Sequence, residues 1–480
     1  MKVLQKLNHY YLLPFVVLIY LSIVSSLNWD YINRDGVLYL IQANVFLQDG
    51  FLESLNVYNW PFLSILIATF SNFFSIELID SAKFLNFLFL IILLFFFYKI
   101  INLYTSNYPN LSLIFVLLSI PIFDDYYPMV IRDIPGLAFF TSASYYFLNF
   151  IKSRNIVNIV IGNSLLLCSV LFRIEFIFLL LINLYFAFSY LTKKNFTIFF
   201  ILFLIIPLSF LLLNFNELSK LEEFQSRFIY LLKSINNNNL INSSDEYLQS
   251  YLNSYQILSR FSIALSFFIK QLLSSVGFLH LAILPFAIKY LISEVYKRDL
   301  SMPLLFFALL ILSYNFVFIF THFVSSSRYF LPFLIIVYIF NTVFFIDKFF
   351  SKNKKKNRFK QKFFYIRWLI IFFLFLSFVN ILFDKNSVNK DLIIADWISS
   401  NIANKNACYI EQIRVRHYLG DYNHTQKPND AIIKSNFQCL ILHESNFSNF
   451  EETLMRNYSV SYVFYDKNMF PYTYVLLKNE

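Results

Sequence analysis

Long apolar runs recur along the chain, separated by short polar stretches in which lysine and arginine cluster. The first run, residues 10–27, is long enough to cross the hydrocarbon core of a bilayer. Lys2 and Lys6 ahead of it place the N-terminus inside and the residues after it outside. No small-residue cleavage site follows, so the run reads as an uncleaved anchor. Further runs occupy residues 61–76, 84–103, 111–123, 135–150, 157–171, 176–190, 196–215, 276–291, 303–320, 329–346 and 364–382, while 257–273 reads as a segment that grazes the membrane. Lys152-Ser153-Arg154, Lys193-Lys194, Lys297-Arg298 and the basic run 352–362 mark inside loops, and about eleven crossings satisfy all of them. One of the three runs between 61 and 123 is then short or re-entrant. The pattern predicts an α-helical polytopic membrane protein with about 11 to 13 transmembrane helices.

The polar intervals differ in kind. Residues 30–59 interleave Leu38, Ile41, Val45 and Phe46 with Asn33, Gln42, Asn44 and Gln48, as in a helix lying along a membrane face, and Pro61 is suited to the first turn of the helix that follows. Residues 216–255 are Asn-rich and polar, and form a second external loop under the same assignment. From 384 the periodicity changes. Leu392, Ile393, Trp397, Ile398 and Ile402 fall on one helical face, and 407–411, 437–442, 461–465 and 472–477 are short buried strands. The division is a membrane domain at 1–383 and a small soluble external α/β domain at 384–480, long enough to hold its own core.

Composition sharpens this picture. Of 480 residues, 58% are hydrophobic and only 14% charged, far from a soluble average. The net charge of +10 lies in loops facing anionic lipid, so nucleic acid is not the expected partner and membrane lipid is. Six glycines leave no Gly-rich phosphate cradle, which excludes ATP-driven transport within this chain. Cys168 lies in an apolar run, whereas Cys408 and Cys439 lie in the tail and can pair if the tail is outside the cytoplasm. No Cys or His spacing suits a metal.

Ionisable residues beside a bilayer are functional candidates by default. Four groups fall outside or at the outer interface: Arg34 and Asp35; Asp124, Asp125, Arg132 and Asp133; Arg173 and Glu175; His322 and Arg328. Their convergence would build a charged cavity. Moving a sugar off a lipid phosphate needs a carboxylate to take the acceptor proton and cations to stabilise the leaving charge. Arginine suits the second task because its planar fork binds two phosphate oxygens. Arg328 and Arg132 are the candidates for it. Each residue also has a plain alternative: Arg328 as an interfacial anchor, Arg173 and Glu175 as a mutually neutralising pair, His322 as a packing residue, and Asp124 and Asp125 as solvated acids. With Asp35 those two acids could also bind a divalent cation, the one cofactor the residues suggest.

Arg34-Asp35-Gly36-x-x-Tyr39 in the first external loop, Tyr58-x-Trp60-Pro61 opening the next helix, Arg132-Asp133 ahead of an apolar helix and Arg328-Tyr329-x-x-Pro332 opening a late span together resemble the GT-C superfamily. Within it, the chain is most similar to the family 39, ArnT-like and protein O-mannosyltransferase-like enzymes. The resemblance covers most of the membrane region and implies a multi-span fold with an external active site, a polyprenyl-phosphate-linked sugar donor and a lipid, glycan or protein acceptor. It implies Asp35 as the first-loop catalytic carboxylate, Asp133 as the second-loop acid and Arg328 as a donor-phosphate contact. The Asp124-Asp125 pair departs from the family pattern. The reading is an inverting glycosyltransferase of a cell envelope, in a bacterial inner membrane with its site facing the periplasm. A lipid-linked glycan polymerase or ligase would place key arginines in the large loop, where only Arg227 stands, and a flippase or transporter would show paired halves or midplane charges.

Overall fold

The computed structural model describes residues 32–190, 256–350, 390–419 and 437–479, with gaps inside these stretches that include 124–125 and 323–325. The predicted anchor 10–27, the span 196–215, the loop 216–255, the basic run 352–362 and the span 364–382 lie outside the described residues. The chain divides into two compact units, one comprising Met1–Val24, Phe84–Tyr127 and Ile131–Val379, the other Ser25–Lys83, Pro128–Val130 and Asn380–Glu480.

Helix α1 (Arg34–Asp49) opens the second of these units, and the mixed sequence of 30–59 folds as two helices because Gly50, at φ 88°, turns the chain into α2 (Phe51–Val57). Pro61 caps α3 (Phe62–Phe74), whose thirteen residues rise only about 20 Å, short of a bilayer core. Gln42 joins the three helices. Its amide is fully buried, donates to the carbonyls of Ser54 (3.0 Å) and Tyr58 (2.5 Å), and accepts from the Ser64 hydroxyl at 2.8 Å. A buried amide satisfied at both ends fixes relative helix position more than it adds net stability.

Helix α4 (Leu78–Tyr104), most of which belongs to the other unit from Phe84 on, is followed by α5 (Pro109–Leu117). The hairpin of α6 (Asp133–Ser153) and α7 (Ile156–Phe172) turns at Arg154, φ 57°, with the Asn155 side chain accepting from Val157 N to cap α7. A 3-10 turn (Ile174–Phe176) leads into α8 (Ile177–Tyr190). Helices α9 (Gln256–Val276) and α10 (Phe278–Ser293) meet at an 82° bend at Gly277, φ 81°, so the run expected to graze the membrane is a separate arm of a broken pair. Then come α11 (Val295–His322), a 3-10 turn (Ser327–Phe330) and α12 (Leu331–Phe350). Lys297 Nζ ties α10, α11 and α12 together, donating to Tyr290 Oη at 2.9 Å and Asp347 Oδ2 at 2.7 Å.

This is an integral membrane protein. Among the described residues, Leu78–Tyr104, Lys297–Phe320 and Ser327–Lys348 are long and apolar enough to cross a membrane, and the bent pair is a fourth such element if it counts as one span. Phe62–Phe74 and Ile156–Phe172 are apolar but shorter.

The tail carries helix α13 (Lys390–Asn401), strand β1 (Cys408–Ile410), helix α14 (Ile413–Tyr418), and strands β2 (Cys439–His443), β3 (Tyr458–Tyr465) and β4 (Pro471–Lys478). All four strands fall on the predicted runs. The sheet order is β1-β2-β4-β3, with β1 and β2 parallel and the other pairs antiparallel. Its central strands β2 and β4 bury apolar side chains on both faces because both faces are covered. Ile410, Ile441 and Val475 pack under Ile394 and Ile398 of α13, and Tyr409, Leu440 and Leu476 pack on Phe447, Leu454 and Tyr458. Cys408 and Cys439, register partners across β1 and β2, form a disulfide. Helix α14 packs against α1, and Arg414 of α14 reaches the buried carboxylate of Asp391 on α13 at 2.5 Å.

Candidate active site

Asp133 begins α6, where the helix dipole favours a carboxylate. Arg173 sits at the end of the partner helix α7 in an extended conformation, φ −143°, that turns its side chain back along the hairpin, and Glu175 follows in the 3-10 turn. The Arg173 guanidinium donates to both carboxylates, through Nη1 to Asp133 and through Nε and Nη2 to Glu175. Relative exposures of 7% for Arg173, 3% for Asp133 and 5% for Glu175 make this a buried ionic triad. Burial opposes the guanidinium charge, but Asp133 and Glu175 outweigh it and hold Arg173 above the ordinary arginine pKa, with Arg132 near enough to act against them. Gly136 leaves room for the arrangement, since a Cβ there would lie 3.0 Å from Arg173 Cγ. Its carbonyl accepts from Ser169 Oγ at 2.8 Å, closing the hairpin beside the triad. Beneath lies an aromatic floor in which Phe140 stacks on Phe176 at 5.0 Å and on Phe307 at 4.8 Å.

The triad continues into the turn that carries Arg328. The Arg173 guanidinium lies 4.9 Å from the centre of the Tyr329 ring, and that of Arg328 lies 5.5 Å from the same ring. Asn315 of α11 donates to the Tyr329 carbonyl at 2.9 Å, Phe318 meets the Tyr329 ring edge-on at 5.2 Å, and Tyr126 and Ser327 share a 2.5 Å hydrogen bond. The turn is therefore held from three elements.

In the other unit, Arg34, Asp35 and Tyr39 share α1. Arg34 is exposed, Asp35 half-buried in the first turn, and Tyr39 buried edge-on to Tyr58 at 6.0 Å. The residue ahead of them, Asn33, holds the main chain of Val130 through its side-chain amide.

Of the predicted site residues, the structure thus brings Asp133, Arg173 and Glu175 into direct contact, with Arg132 in electrostatic reach and Arg328 joined through Tyr329. Arg34, Asp35 and Tyr39 are placed on one helix. Asp124 and Asp125 lie outside the described residues. His322 ends α11, and its side chain is not among those described. Among the described residues no three His, Cys, Asp or Glu side chains gather as metal ligands, and the two carboxylates of the triad are engaged by a guanidinium. Sequence reasoning did not single out Tyr329, Asn33 or Gly136. Tyr329 stood inside the Arg-Tyr-x-x-Pro motif and Asn33 immediately before Arg34-Asp35-Gly36, so position beside a motif was the available signal.

The fold is ArnT-like. Among solved structures, the chain is similar to ArnT from Cupriavidus metallidurans in the apo state, with TM-score 0.61, 12% identity and 97% of each chain covered. It is likewise similar to the same protein bound to undecaprenyl phosphate, with TM-score 0.57, 11% identity and 97% of each chain covered. No protein-family model matches the chain, and no curated protein matches it in sequence.

Proposed function

We propose that this protein is an inverting membrane glycosyltransferase that moves a sugar from a polyprenyl-phosphate donor to an acceptor on the external face of the membrane. The observation that carries the reading is the ArnT-like fold over 97% of the chain, including a solved relative in fold that holds undecaprenyl phosphate. In the reaction, an acceptor hydroxyl oxygen forms a bond to the anomeric carbon as the bond from that carbon to the phosphate oxygen breaks. The leaving polyprenyl phosphate keeps the electron pair. Asp35, half-buried in the first turn of α1, takes or orients the acceptor proton. Arg328, with Arg132, neutralises the charge that develops on the phosphate. The ion pairing of Asp133 and Glu175 with Arg173 supports a holding role for both acids. The tail disulfide supports an external placement for the tail, because such bonds persist in oxidising compartments.

The test is Asp35→Asn assayed for sugar transfer in membranes, alongside mass spectrometry of lipids and surface glycans from cells with and without the gene. The expected result is loss of transfer, one missing sugar and an accumulated isoprenoid phosphate precursor. Full activity in Asp35→Asn would remove this residue from the mechanism, and an unchanged glycan and lipid profile on deletion would remove the transferase reading.

A further inference from the structure

Tyr329 is the point at which two guanidiniums with different duties meet. Arg173 is immobilised by two buried carboxylates and lies over the Tyr329 ring at 4.9 Å, while Arg328, the neighbouring residue, lies 5.5 Å from the same ring. Both distances fall inside the range in which an aromatic quadrupole attracts a cation. The ring itself has little freedom. Its backbone carbonyl is held by Asn315, its edge is met by Phe318, and the turn is anchored by the Ser327 to Tyr126 hydrogen bond. Two cations on one ring repel each other. The arrangement is tolerable here because Asp133 and Glu175 more than neutralise Arg173, leaving the local charge close to balance.

We infer that Tyr329 is a positioning residue for Arg328: the face of its ring, fixed by the Arg173 triad and by Asn315, holds the Arg328 guanidinium in the orientation that meets the donor phosphate. A long arginine side chain otherwise gives up rotamer freedom each time it engages a ligand, and a ring that holds it beforehand reduces that cost. The role belongs to the aromatic face, so the phenolic hydroxyl is dispensable for it. The inference rests on the proposed donor role of Arg328 and extends it to the residue that sets its geometry.

The experiment measures binding of undecaprenyl phosphate to the purified full-length protein in nanodiscs. Tyr329→Phe, which retains the ring, is expected to bind within about twofold of the native protein, whereas 3,4,5-trifluorophenylalanine at position 329, isosteric but with the quadrupole suppressed, is expected to weaken binding about fivefold. Because that replacement keeps the shape of the ring, it does not depend on the fold surviving a cavity. In an Arg328→Ala background the fluorinated ring is expected to add no further loss, since the effect runs through Arg328. Native-like binding by Arg328→Ala would overturn the donor reading of Arg328 and this inference with it. If Arg328→Ala weakens binding but the fluorinated ring does not, or Tyr329→Phe loses as much as Arg328→Ala, or the two changes add, the donor reading stands and the positioning role is overturned.

Discussion

Asn33 grips the main chain of Val130 from both sides. Its Oδ1 accepts from Val130 N at 2.7 Å and its Nδ2 donates to Val130 O at 3.2 Å, so one side chain does for this segment what a neighbouring strand would do. Gly36 makes the grip possible, because a Cβ there would come 2.7 Å from Asn33 Oδ1 and 2.9 Å from the Val130 side chain. The glycine of Arg34-Asp35-Gly36 is thus required by close approach rather than by an unusual backbone angle.

Asn33→Ala removes both hydrogen bonds and leaves two buried backbone groups without them, a loss of about 1–3 kcal/mol for such groups. The expected outcome is a lower melting temperature of the purified protein, with Asn33→Asp, which keeps the acceptor and loses the donor, falling between the two. A melting curve for Asn33→Ala that superimposes on the native one would show that the clamp contributes nothing.

Arg173→Ala strands two carboxylates in a buried site, and breaking a buried ion pair from one side destabilises by about 3–5 kcal/mol. Arg173→Lys keeps the charge but offers a point donor in place of a fork, so it is expected to recover only part of the loss. The yield of monodisperse protein on size exclusion and its melting temperature should rank native, then Lys, then Ala. Equal behaviour of Lys and native would mean that charge alone matters at this position.

The disulfide closes a loop of 31 residues, and crosslinks of that span stabilise by about 3–4 kcal/mol. Replacing Cys408 and Cys439 with alanine together is expected to raise the protease sensitivity of the tail. In intact cells, a membrane-impermeant maleimide should label these cysteines only after an impermeant reductant has been added. Labelling without reductant would mean free thiols, and no labelling after reduction would put the tail on the inner side.

Burial pushes the Tyr409 hydroxyl up to about 12, with the Glu411 charge adding to the shift and Arg416 opposing it. A phenol whose folded pKa exceeds its unfolded value near 10 contributes stability that is fully present below about pH 10 and is lost as the pH rises towards 12. Denaturant melts of native and Tyr409→Phe protein between pH 9 and 12 should therefore converge on a smaller pH dependence in the variant. Parallel curves across that interval would remove Tyr409 as the source.

The tail strands were legible because each is a short apolar run bounded by polar or turn-forming residues. Helix α13 was legible as an element but its buried face was not: Ile393, expected on that face, is exposed, while Ile394 and Ala395 are buried beside Ile398, because the sheet it packs on decides which side is covered. The broken segment at Gly277 was half legible: a grazing helix was expected, but its angle depends on a positive φ that periodicity does not encode. The triad was less so. Arg173 and Glu175 are close in sequence and read as a self-neutralising pair, whereas Asp133 stands 40 residues away and joins them only when α6 and α7 fold back on each other.

By itself the sequence determined that this chain belongs in a membrane, where its apolar runs begin and end, and which charged residues stand at their edges, since bilayer thickness and charge solvation act on each segment locally. Only the tertiary structure decided which of those charges bind one another, that the Asp35 helix packs against the tail, and that the strands order as β1-β2-β4-β3. Partner choice is set by side-chain volume and hydrogen-bond closure between distant segments, and no local pattern records it.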